Sequence, residues 1–169
     1  MRRSLCLAAL GAVLFGVAFA SPAFAGSPAL GRWFSWSASH QTVTVVLVAG
    51  YDGANNGFNF DGYGRGMLLV RVPLGWRVVV KCENASSMRR SCAIVSNPQT
   101  IEPAFPGAAS PRPVLGLLTG QTARFAFTVS RAGSYRITCL VPGDEQARMW
   151  DLLEVGGVTR PVISTRTGF

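Results

Sequence analysis

From Thr42 onward the chain alternates apolar and polar residues in short runs, broken every ten or so positions by glycine and proline. Val43, Val45 and Leu47 alternate with Thr42, Thr44 and Val46, the period-two signature of a strand with one buried face. The same signature predicts strands at Met67–Val72, at Arg77–Cys82 and at Cys92–Val95; in the second of these Val78, Val80 and Cys82 share a face. Phe125, Phe127 and Val129 alternate with Arg124, Ala126 and Thr128, and Tyr135, Ile137 and Cys139 share a face after the Arg131-Ala132-Gly133 turn. Met149–Val155 is expected to be the last strand. Pro73-Leu74-Gly75-Trp76 reads as a turn, because proline presets one backbone angle and glycine permits the others. Gly50–Gly57 and the longer excursion Ser96–Pro113 read as loops.

No stretch after the first 25 residues carries a helical period. Many short strands divided by turn residues predict an all-β sandwich over residues 40–156. Residues 26–39 read as a lead-in whose Trp33, Phe34 and Trp36 pack on the domain edge, and residues 157–169 as a loose tail.

The opening residues differ in kind. Arg2 and Arg3, an apolar stretch from Leu5 to Ala20 and the small-x-small run Ala23-Phe24-Ala25 predict a secretory signal over residues 1–25. The chain is therefore expected outside the cytoplasm, secreted or periplasmic; left uncleaved, the stretch would anchor it in a membrane. Cleavage removes Cys6 and lowers the formal charge from +8 to +6. The cations Arg71, Arg77, Lys81, Arg124 and Arg136 are scattered at alternating strand positions, which predicts solvated outer faces. A nucleic-acid footprint would need them clustered, whereas weak attraction to an acidic partner or surface stays open. Asn84-Ala85-Ser86 matches the glycosylation triplet, a frequent chance match.

Candidate chemistry is sparse. His40 is the sole histidine, with no nucleophile elbow, and Asp144 and Glu145 are neighbours, which does not suit opposed acid and base roles. No enzyme and no catalytic residue are expected.

The segments Phe58-Asn59-Phe60-Asp61-Gly62-Tyr63, Val72-Pro73-Leu74-Gly75-Trp76, the Asn84 loop leading to Arg90-Ser91, Phe105-Pro106-Gly107-Ala108, Gly116-Leu117-Leu118-Thr119-Gly120, Gly133-Ser134-Tyr135 and Cys139 through Trp150 occur in a telling order. Together they resemble the sulfocyanin-like branch of the cupredoxin, or blue copper, family over roughly Thr42–Val155. The resemblance implies a Greek-key sandwich of two sheets with a copper site at one end. It sets the family's Cys ligand at Cys139 and its Met ligand at Met149, but its two His ligands fall at Arg90 and Asp144. Type 1 copper needs two neutral imidazoles, a thiolate and a long axial thioether, and a guanidinium offers no lone pair. The resemblance thus implies a degenerate site with no cofactor, in which Arg90 and Asp144 either form an ion pair closing the emptied pocket or stand as two unrelated, solvent-facing charges. Cys139 is left as a buried inert thiol, a reactive thiol, or a residual soft-metal ligand beside Met149.

Three cysteines remain after processing, and Cys82 with Cys92 is the expected disulfide. In the resembled fold their strands belong to opposite sheets, so the bridge would staple the sandwich. The expected function is a secreted binding or structural module, with an unknown protein or small-molecule partner meeting the loop Ser96–Pro113. The alternative is a copper-binding or electron-transfer protein using an atypical Cys139/Met149 site.

Overall fold

In the computed structural model, residues 30–166 are described; the expected signal over residues 1–25 lies outside them. Among the described residues nine strands form two sheets: β1 (Phe34–Ser37), β2 (Thr42–Ala49), β3 (Leu68–Val72), β4 (Arg77–Asn84), β5 (Ala93–Val95), β6 (Thr122–Thr128), β7 (Gly133–Thr138), β8 (Trp150–Val155) and β9 (Val162–Thr165). One sheet runs β1-β2-β4-β6 and the other β5-β7-β8-β3-β9, so the chain crosses repeatedly between them. Helix among the described residues is confined to short 3-10 turns at Gly31–Trp33 and Ala54–Gly57.

Strand alternation places the core as the sequence predicts. Val43, Val45 and Leu47 of β2, Val78, Val80 and Cys82 of β4, and Phe127 of β6 face Val70, Val72, Ile137, Leu153 and Val155 of the second sheet. The proline-rich excursion is less open than its composition suggests. Phe105 inserts between Phe127 (centroids 5.5 Å apart) and Tyr135 (4.8 Å), and Ala108 and Ser110 are buried.

The domain extends at both ends beyond residues 40–156. Within the expected lead-in, Phe34–Ser37 pairs antiparallel with β2, while Trp36 stacks edge-on against Trp76. Within the expected tail, Val162–Thr165 pairs antiparallel with β3 and seats Ile163 on the core. The Gly156-Gly157 turn, both residues at positive φ, reverses the chain there; four strand-forming residues then suffice because β3 supplies a ready ladder.

Outer faces are partly as expected. Arg77, Lys81 and Arg124 are exposed, but Arg71 pairs with Glu154, and Arg136 pairs with Glu145 and lies 3.9 Å over the Trp150 ring.

Candidate functional site

The register of β2 against β4 runs from Thr42–Arg77 at one end to Ala49–Asn84 at the other. His40 sits in the exposed turn before the first of these pairs, at the opposite end of the sheet from Asn84. It supplies no imidazole to the Asn84 end.

Asn84 organises that end. Its buried side-chain amide donates to the carbonyls of Met88 (2.8 Å) and Leu117 (2.9 Å), and its oxygen accepts the Ser86 N–H (2.9 Å). A group so enclosed is no glycan acceptor. The loop it shapes lets Arg90 bridge to Leu117 through the backbone, N–H to O at 3.2 Å and O from N–H at 2.7 Å. Side chains alternate across this short ladder, so Arg90 turns inward.

The inward guanidinium lies 4.5 Å over the Phe58 ring and donates from Nη1 to Asp144 Oδ1 at 2.7 Å. Asp144 comes from the loop between Cys139 and Met149, which closes on itself through Asp144 N–H to Val141 O and Met149 N–H to Asp144 O. The ion pair is sealed from water, the side chains being 2% and 3% exposed. It is also incompletely served: among the described residues Arg90 Nε and Asp144 Oδ2 make no hydrogen bond of ordinary geometry, and Nη2 meets the Met88 sulfur at 3.8 Å.

Cys139 lies fully buried beside the pair. Its Sγ accepts the Ser91 N–H at 3.0 Å, while Ser91 Oγ accepts the Leu140 N–H at 2.9 Å. Burial, then the Asp144 charge, pushes the thiol up to about 12. That argues for the inert reading of Cys139 over the reactive one, since the thiolate is the nucleophile. Burial also pushes the Asp144 carboxyl up, with the thiol and the Arg90 guanidinium pulling it back. Met149 is wholly buried in the core.

These residues do not fit a copper ion. Arg90 sets a fixed positive charge in the buried cluster around Cys139 and Asp144, and at about 4 Å two unit charges repel by on the order of 4 kcal/mol at an effective dielectric near 20. Its single ionic bond already takes one oxygen of Asp144. Among the described residues no group of three or more His, Cys, Asp or Glu side chains is arranged to hold a metal.

Cys82 and Cys92 form the disulfide, with Cα atoms 6.0 Å apart. Cys82 belongs to β4 of the first sheet and Cys92 directly precedes β5 of the second, so the bond ties the sheets at the base of the loop carrying Arg90.

Sequence reasoning named Arg90, Asp144, Cys139 and Met149 but gave no role to Ser91, Phe58, Asp61 or Asp151. Asp61 Oδ1 accepts the Val48 N–H and Asp151 Oδ1 the Leu68 N–H, both at the edge of the core. Burial raises Asp61 to about 7 and Asp151 well above the usual carboxylate range. A signal for Asp151 was present: it falls in the inward phase of β8 with Leu153 and Val155.

A two-sheet sandwich whose Cys–Met loop packs on an Asn-led loop at one end defines the cupredoxin class. The sulfocyanin (SoxE) domain family matches residues 32–165, and the chain belongs to that family. Sulfocyanin of Sulfolobus acidocaldarius is 29% identical over 139 residues, 75% of this chain and 70% of that protein. Auracyanin A of Chloroflexus aurantiacus, a blue copper protein, aligns with TM-score 0.48 and 21% identity over 68% of this chain and 99% of its own. Fet3p, a multicopper oxidase, aligns with TM-score 0.51 and 17% identity over 70% of this chain and 24% of its own length.

Proposed function

We propose that this chain is an exported cupredoxin-fold protein that has given up copper and serves as a binding or structural module, without redox or catalytic activity. The observation that carries the reading is the buried ion pair between Arg90 and Asp144, standing where the family resemblance expects imidazoles. A guanidinium cannot ligate, and freeing Asp144 would leave the Arg90 charge buried and alone, a costly state. Export rests on the basic and apolar opening residues; among the described residues no helix is long and apolar enough to cross a membrane. The partner is a protein or a small molecule rather than nucleic acid, and the scattered cations add weak attraction to acidic surfaces.

A second reading keeps a copper site on Cys139 and Met149. It is favoured by the Ser91 N–H aimed at Cys139 Sγ, a bond that would equally stabilise a thiolate. One titration separates the two. Purified protein mixed with Cu(II) stays colourless and elutes without stoichiometric copper under the first reading. An intense thiolate-to-copper band, lost in Cys139→Ala, establishes the second.

A further inference from the structure

We propose that the cavity beside the Cys139–Met149 loop is a binding site for an uncharged, largely apolar small molecule. It rests on the reading of the chain as a binding module and supplies that module's ligand class.

The cavity measures about 710 Å³, within the range of roughly 300–1,000 Å³ usual for ligand sites. One wall is the loop from Cys139 to Gln146; the other is formed by Pro98 to Ile101 with Val114. Its floor is the face of β7 turned from the main core, where Arg136 and Thr138 alternate with the core residue Ile137. Val95 and Leu140 form a separate small apolar cluster at the same place.

The charges of the floor cancel. Glu145 accepts from both the Arg136 guanidinium and the Thr138 hydroxyl, pinning the loop to β7. The guanidinium face is covered by the Trp150 ring at 3.9 Å. Every other lining residue is uncharged, so nothing here would repay a charged ligand for its desolvation.

The mouth points the same way. Ile101 is 59% exposed and Val114 37%, large aliphatic side chains left in water at the rim. The side-chain amides of Gln99 and Gln146 stand exposed beside them, able to donate or accept but not to select charge. An apolar body ending in a hydroxyl or carbonyl group fits both features.

The test uses N-phenyl-1-naphthylamine, an uncharged apolar fluorophore, on the mature protein. The expected result is a saturable, one-to-one rise in emission, reversed by dodecanol more readily than by dodecanoate. Ile101→Asp and Val114→Asp should each weaken binding by about tenfold or more with the far-UV circular dichroism unchanged. Leu74→Asp, on a distant turn, should leave it intact. Non-saturable binding, undiminished binding in both rim variants, or preferential displacement by dodecanoate would overturn the proposal. The copper titration is read separately: a protein that turns blue yet binds the probe loses the metal-free reading and keeps this site, whereas a colourless protein that ignores the probe does the reverse.

Discussion

Arg90 Nη1 reaches Asp144 Oδ1 at 2.7 Å across 54 residues of sequence, and neither side chain sees appreciable water. Among the described residues each is the other's sole ionic partner, so removing one strands the other. Asp144→Leu alone is expected to cost about 3–5 kcal/mol of unfolding free energy, the usual range for a broken buried pair. Arg90→Met with Asp144→Leu should cost much less than the two single changes summed. Urea denaturation of the four proteins measures the coupling; a value near zero would mean that the two charges ignore each other.

On the reading proposed above, the same two positions are where imidazole ligands would have to stand. Arg90→His with Asp144→His would surround Cys139 and Met149 with two imidazoles, the donor set of a type 1 centre. The double variant is expected to take up Cu(II) with an intense visible band, and either single variant to show little or none. An equally strong band in Asp144→His alone would mean that Arg90 does not block the metal.

Cys82–Cys92 closes a span of ten residues, for which loop-closure entropy gives about 2–3 kcal/mol. Cys82→Ala with Cys92→Ala should lose that much. Because the bond sits at the base of the Arg90 loop, amide exchange at Ser91 should accelerate more than at Val78 in mid-strand. Equal acceleration at both would assign the bond a global role only.

Periodicity made the strands legible, since burial on one face of a sheet dictates alternation, and Cys82 fell in the inward phase that its disulfide requires. What escaped was set by partners remote in sequence. Val162–Thr165 is too short to declare itself and is a strand because β3 pairs with it. Ser91 meets Cys139 through its backbone N–H and, at 3.5 Å, through its hydroxyl, but a lone serine 48 positions away gives no sign of either contact. The residues facing one another at Arg90 and Asp144 came through resemblance rather than spacing, because opposite charges 54 positions apart are common in any chain. Asp61 lay within a quoted motif, yet its burial depends on Val48 of the neighbouring strand.

That buried carboxyl gives the protein a dependence on pH. Asp61 is 4% exposed, and one oxygen accepts the Val48 N–H while the other has no hydrogen-bond partner among the described residues. Burial raises it from 3.8 to about 7, against the pull of the Val48 N–H and the more distant Arg32. The folded protein therefore holds this proton between roughly pH 4 and pH 7, where the unfolded chain has released it. A state that binds more protons is favoured by acid, so the Asp61 contribution is greatest below pH 4 and is lost as pH rises to 7. Asp151, raised by its burial and further by the Asp61 charge, acts in the same direction. Asp61→Asn keeps an acceptor for Val48 and replaces the acid with a neutral amide that cannot ionise. Thermal melts of both proteins from pH 4 to pH 8 are expected to show the wild type losing stability relative to Asp61→Asn as pH rises. Parallel curves across that window would show that Asp61 ionises in the fold as easily as it does in water.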